Sequence, residues 1–194
     1  MYILSHFAVT DERQIYEFID AHGFGELVSV SRGRLIATHL PVYLSDDKTR
    51  LYGHIARQNP QALDIEGQEV LVTLLGPHDY ISPAWYTSPG VPTWNYQAVH
   101  LYGQCAVLRS PERVAEIVER LTSRYEARLP DPWQPAYCRE MLNAIVGLKI
   151  TISEIECKFK LSQNRSGQDR LNVIQQLKAL GSQRLAEAMA RNES

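Results

Sequence analysis

Three stretches of this chain hold residue types able to bind an anion or a flat aromatic ligand. In His54-Ile55-Ala56-Arg57-Gln58-Asn59-Pro60, an arginine and two amides stand where a strand pattern gives way to a helix start. Free backbone N–H groups at a helix start attract anions, and the guanidinium fork adds a charge-assisted contact; together they suit a phosphate. The plainer reading is an asparagine cap beside a solvated arginine. Trp85-Tyr86 and Trp94-Asn95-Tyr96 flank a proline-rich loop. Flat rings with amides nearby can sandwich a heteroaromatic ligand, or simply pack as core or interface. Lys158-Phe159-Lys160-Leu161-Ser162-Gln163-Asn164-Arg165 sets two lysines on one strand face and two amides at its end. The lysines could hold an anion, or pair with Glu154 and Glu156 in a solvated face. There is no nucleotide-binding glycine loop, HExxH, GxSxG or zinc spacing. The six histidines form no close pair, so no metal site is expected.

The elements that must position these groups follow from hydrophobic spacing. Thr10-Asp11-Glu12 predicts a helix cap with an acidic first turn, then Ile15, Phe18 and Ile19 on one face and a stop at Gly23. Residues 27–30 and 35–44 flank Ser31-Arg32-Gly33-Arg34 as a hairpin, and the turn 45–49 leads to a third strand over 51–55. Connections this short require antiparallel pairing. Asn59-Pro60 opens a short helix over 61–65. A strand over 70–75 is broken at Gly76-Pro77 and resumes at 80–82 after a bulge. Residues 83–92 form a loop, and 94–108 one long strand or two. Ser110-Pro111-Glu112 starts a helix carrying Val114, Ile117, Val118 and Leu121, and a second is expected over 136–146, ending at Gly147. Residues 150–161 return to strand, with Ile155, Cys157, Phe159 and Leu161 on one face. The tail, 171–191, divides into two helices at Gly181-Ser182. The sum is an α+β fold with six or seven mainly antiparallel strands in a barrel-like sheet, not a doubly wound one.

Composition narrows the class. With 194 residues, 44% hydrophobic and 22% charged, the chain should bury roughly 70% of its unfolded surface in one core without metals or disulfides. Twenty basic against 22 acidic residues leave a net charge of −2, which argues against general affinity for nucleic acid. No segment reaches the ~18 apolar residues of a membrane span, and the start lacks the pattern of a secretory signal. Three scattered cysteines, Cys105, Cys138 and Cys157, predict buried free thiols. A cytoplasmic protein is expected.

Taken in order, Ala37-Thr38-His39-Leu40-Pro41, Gly53-His54-Ile55-Ala56-Arg57-Gln58-Asn59-Pro60, Tyr80-Ile81-Ser82-Pro83-Ala84-Trp85-Tyr86, Val91-Pro92-Thr93-Trp94-Asn95-Tyr96, Val99-His100-Leu101-Tyr102-Gly103 and the block from Lys158 to Arg165 resemble the PaiB-type FMN-binding negative transcriptional regulators. The resemblance runs over nearly the whole chain. It implies an FMN-binding split β-barrel with peripheral and C-terminal helices, working as a homodimer: a barrel domain over 1–165 and a helical appendage of the same domain over 166–194. It further implies that the phosphate sits on the segment His54 to Asn59, with Arg57, Gln58 and Asn59 as contacts. The strand 37–41 would pass under the flavin ring, with Thr38 and His39 touching it. Trp94 and Asn95, with Tyr96, would close the groove from the partner, and Lys158, Lys160 and Gln163 complete the set. Where pyridoxamine-phosphate oxidases commonly carry Ser-Arg-Lys, this chain has Arg57-Gln58-Asn59, so that oxidase activity is not carried over.

Three function classes follow. The first is a flavin-binding regulator that acts through its ligand or a partner, direct DNA contact being the weaker expectation because no basic reading helix is present. The second is a flavin-dependent oxidoreductase fed by a nicotinamide donor. The third is a barrel that has lost flavin or binds haem.

Overall fold

The computed structural model describes residues 1–135 and 137–192. Its helices and strands, in order, are α1 (Glu12–Ala21), β1 (Phe24–Ser31), β2 (Arg34–Leu44), β3 (Arg50–Ala56), α2 (Gln61–Asp64), β4 (Glu69–Ile81), β5 (Thr93–Leu108), α3 (Pro111–Glu126), α4 (Arg139–Asn143), β6 (Ile145–Lys160), α5 (Gly167–Ala179) and α6 (Gln183–Arg191). The six strands follow the order β1-β2-β3-β6-β5-β4 around a closed barrel. Among the described residues no helix is long and apolar enough to cross a membrane.

The chain divides into two compact units. The larger comprises Tyr16–Leu74 and His100–Ile155. Its β1–β2 hairpin turns on Arg32 and Gly33, both at positive φ (51° and 74°), the two-residue turn whose twist matches antiparallel strands. The register Glu26↔His39 and Leu27↔Thr38 then sorts side chains by parity. Leu27, Leu40, Val42, Leu51, Ile55, Val72, Val146 and Leu148 are all 3% exposed or less and form the interior. Each such side chain contributes roughly 1.5–3 kcal/mol by leaving water.

The smaller unit comprises Met1–Ile15, Leu75–Val99 and the described part of Glu156–Ser194. Phe159, Leu161, Val173, Leu177, Leu185 and Met189 are buried in it. Ser166 caps α5 by accepting from Asp169 N, and Gly181 (φ 85°) ends that helix before α6, as the two-helix reading expects.

Several boundaries differ from the sequence reading. The cap of α1 is Asp11, whose Oδ1 accepts from Gln14 N at 2.8 Å, not Thr10. The strand through Gly76-Pro77 is continuous, and its burial moves from even positions to Ile81 without a break. The helix expected over 136–146 shrinks to α4, its first position, Ala136, lying outside the described residues. Residues 145–147 instead pair with Ala56, Ile55 and His54 as the start of β6. The reason is local: Arg57 N donates to Ala144 O and turns the chain there. A Cβ on Gly147 would lie 2.8 Å from Ile117 Cδ1, so close packing, rather than a helix stop, needs the glycine. Cys138 is exposed, against the expectation of a buried thiol, while burial pushes the Cys105 and Cys157 thiols up to about 12.

Candidate functional site

The residues singled out from sequence fall into separate clusters. In the larger unit, the strand-to-helix segment after β3 is tied by side-chain hydrogen bonds to β1 and β2. Gln61, fully buried, is its hub. Its Nε2 donates to Ser29 Oγ (2.8 Å), Ile36 O (3.2 Å) and Leu27 O (3.3 Å), and its Oε1 accepts from Thr38 Oγ1. Asn59 Nδ2 donates to Thr38 Oγ1 at 2.9 Å, while Asn59 Oδ1 accepts from Gln61 N at 2.9 Å, the capping contact that Asn59-Pro60 leads one to expect ahead of α2. Thr38 and Asn59 are therefore brought together, but on each other and on Gln61, a residue the sequence reading did not single out. Gln61 is polar inside an apolar pattern, and that mismatch was the available signal.

Arg57 lies outside this network and is exposed, as is Gln58. Its Nε donates to Asn143 O (2.6 Å) and Nη2 to Ile145 O (3.1 Å). Two carbonyls thus fix the plane of the fork, and its Nη1 N–H groups make no hydrogen bond among the described residues. His54 sits half-buried opposite Gly147; its Nδ1 is buried without a partner among the described residues, and burial holds its pKa below the usual value.

His39 faces the other way from Thr38, onto the outer surface of β1, β2 and β4. Alternation places Phe24, Glu26, Val28 and Val30 on that surface, opposite Pro41, His39, Ala37 and Leu35. Leu71 and Thr73 of β4 continue it beside Val28 and Glu26. Phe24 is 61% and Leu35 76% exposed, so this is an apolar platform open to solvent.

In the smaller unit, the lysine face is not the solvated strip its charges suggested. Lys158 is 9% exposed; its Nζ donates to Tyr2 O at 2.9 Å and lies 5.3 Å from the Tyr96 ring centre. Lys160 donates to Thr93 Oγ1 and to Trp94 O (2.7 Å), and burial, then Lys158, lowers its pKa. Trp94 is half-exposed, with the Tyr80 ring edge-on at 6.2 Å. Asn95, in contrast, is 1% exposed: its Nδ2 donates to Ser162 Oγ at 2.8 Å, and its Oδ1 has no partner among the described residues. Ser162 holds φ 64°, a conformation rare outside glycine. Gln163 folds back, accepting from Leu161 N and donating to Phe159 O.

These groups fit a phosphate-bearing flat ligand in two respects: a pre-oriented arginine with free N–H groups, and an exposed apolar platform edged by a histidine. The side chains of Thr38, Asn59 and Gln163 do not add to that fit, because their polar atoms are already paired.

The chain matches the family model described as "Putative FMN-binding domain" over residues 1–154. It belongs to this FMN-binding family. It is also 42% identical over 185 residues, 91% of this chain and 89% of the relative, to Protease synthase and sporulation protein PAI 2 (PaiB) of Bacillus subtilis (strain 168). The chain is thus a PaiB-like FMN-binding protein. Among solved structures, the flavocytochrome Anf3 of Azotobacter vinelandii superposes with a TM-score of 0.63 at 19% identity, covering 83% of this chain and 70% of that one. An FAD and haem binding protein of Mycobacterium smegmatis gives 0.64 at 16%, covering 84% and 78%. At such identities the likeness speaks for the fold: the FMN-binding family member described above has the split barrel expected from its sequence.

Proposed function

We propose that this PaiB-like chain works in the cytoplasm as a homodimeric flavoprotein and negative transcriptional regulator whose molecular act is to bind FMN. Residues 166–192, the described part of the segment 166–194, serve as a helical appendage of the barrel domain. What supports the reading above all is the outer face of β1, β2 and β4, an exposed apolar platform where a soluble monomer would ordinarily present polar groups. In this reading the flavin ring lies on that face against His39 and the backbone of residues 37–39. Arg57 takes the phosphate through its Nη1 N–H groups. Trp94 and Lys160, both with exposed surface, approach the ligand from the second copy. FMN supplies hydride and one-electron chemistry when bound; the chain supplies orientation, charge and exclusion of water.

The test is a titration of wild type and Arg57→Ala with FMN and with riboflavin, which lacks the phosphate. Losing one charge-assisted contact of roughly 1.5–3 kcal/mol should weaken FMN about 10- to 150-fold and leave riboflavin unchanged. Equal losses for the two ligands would remove Arg57 from the site. For the dimer, burial on the order of 1,200–2,000 Å² is needed. Leu35→Glu should therefore shift light scattering at micromolar concentration from two copies to one, and a wild-type monomer would sink the shared site. Bleaching of the bound flavin by a nicotinamide donor would add electron transfer to the regulator's chemistry.

A further inference from the structure

The outer face carries a second arrangement that FMN binding alone does not require. The register aligns three residues across three strands: Glu26 stands opposite His39 of β2 on one side and Thr73 of β4 on the other. Glu26 Oε1 lies 2.9 Å from His39 Nε2, and Glu26 Oε2 accepts from Thr73 Oγ1 at 3.3 Å. The Phe24 ring stacks beside the imidazole, 6.3 Å between centres and 27° between planes. Each carboxylate oxygen is thus held by a different neighbour, which fixes the carboxylate and, through it, the imidazole. With Nε2–H directed at Glu26, the histidine has Nδ1 left for any further exchange, and Nδ1 makes no hydrogen bond among the described residues.

A carboxylate that anchors one imidazole nitrogen selects the tautomer and stabilises the imidazolium. The charged group facing His39 is Glu26 from β1; β4 offers the neutral Thr73. In the open protein the pair is solvated, with side chains 62% and 46% exposed, and an ion pair of that kind is worth little. Its surroundings, however, are Phe24, Val28, Ala37, Pro41 and Leu71. A flat ligand laid on them would exclude water and strengthen the attraction between Glu26 and a protonated His39.

We infer that His39, oriented by Glu26, takes up a proton when the ring system binds and donates it as an Nδ1–H hydrogen bond to the electron-rich carbonyl and imide edge of the flavin. The inference rests on the ring lying on this face, as proposed above. The balance is simple: one proton moves from solvent to the imidazole, no covalent bond is made or broken in the ligand, and no electron is transferred. FMN affinity should then fall as pH rises, because binding needs the protonated ring.

Calorimetric titration of FMN into the full chain at pH ~7, in buffers of differing ionisation enthalpy, counts the protons taken up. Wild type should take up a substantial fraction of one proton. His39→Gln should abolish the uptake and weaken FMN roughly ten-fold. Glu26→Gln should reduce the uptake while keeping the imidazole. Both positions are solvent-facing, so the variants test the site and not the fold. FMN binding with no proton uptake, or with uptake unchanged in His39→Gln, overturns the role of His39 and leaves the flavin reading intact. Failure of wild type to bind FMN overturns both. Binding that leaves the His39 resonances unmoved shows that the ring lies elsewhere and also overturns the inference.

Discussion

Two polar clusters buried at opposite kinds of position handle their hydrogen bonds differently. Around Gln61 the groups close on one another: one amide serves three acceptors and one hydroxyl, and Asn59 completes the circuit. Around Asn95 the circuit stays open. Its carbonyl oxygen has no partner among the described residues, Ser162 is held at positive φ, and the nearby strand buries Lys158 against a carbonyl and aromatic rings. A closed network ties the β1–β2 hairpin to the start of α2. An open one keeps polar capacity in reserve at a cost in stability, the pattern expected where a chain serves a ligand as well as its own fold.

The sharpest way to break this comparison is to remove each hub. Gln61→Leu leaves Ser29 Oγ without its buried donor and takes one partner each from Thr38 Oγ1 and the Leu27 and Ile36 carbonyls, and should cost about 3 kcal/mol of unfolding free energy in urea. Asn95→Leu removes a group already unsatisfied on one side and should cost only about 1 kcal/mol by the same measurement. If Asn95→Leu proved as damaging as Gln61→Leu, the two clusters would not differ in kind.

A smaller, pH-dependent effect sharpens the picture within the smaller unit. There the buried Asp169 carboxylate accepts from Thr87 N (2.6 Å), Thr87 Oγ1 (2.7 Å) and Ser88 Oγ (2.7 Å), fastening the proline-rich loop. These donors, the Thr87 N–H foremost, hold its pKa well below the usual carboxylate range. A depressed acid pKa stabilises fully above the unfolded value near ~3.9 and is lost as pH falls below it. Limited proteolysis between residues 83 and 92 should therefore be slow at neutral pH and quicken as pH drops below about 4. Asp169→Asn should show the fast rate already at neutral pH; an unchanged rate would mean the carboxylate does not fasten the loop.

The order of strands and helices was legible because it rests on local signals: Gly33 in its turn, Ser110 as a cap, Gly181 between two helices. The start of β6 was not, since residues 145–147 are held by pairing with β3, a contact about 90 residues away in sequence. The same limit governs the site. Arg57 and His39 could be chosen by type and by resemblance, but Glu26 and Thr73 look like ordinary solvent-facing strand residues until the register of three strands is known. Lys158 differs in the opposite sense: alternation predicts its face correctly, yet whether that face meets water depends on what the Tyr2 segment covers.

A barrel that closes from β4 back to β1 has a further consequence for how these molecules meet one another. Open sheets can recruit a stray strand through their unpaired edge, and that route to aggregation is insensitive to sequence. Here every strand has two neighbours, so contact made through the sheet must use side chains on the outside of the staves. On the face of β1 and β2 the large exposed apolar positions are Phe24, Val30 and Leu35. Single surface substitutions there can retune solubility and assembly without touching the architecture.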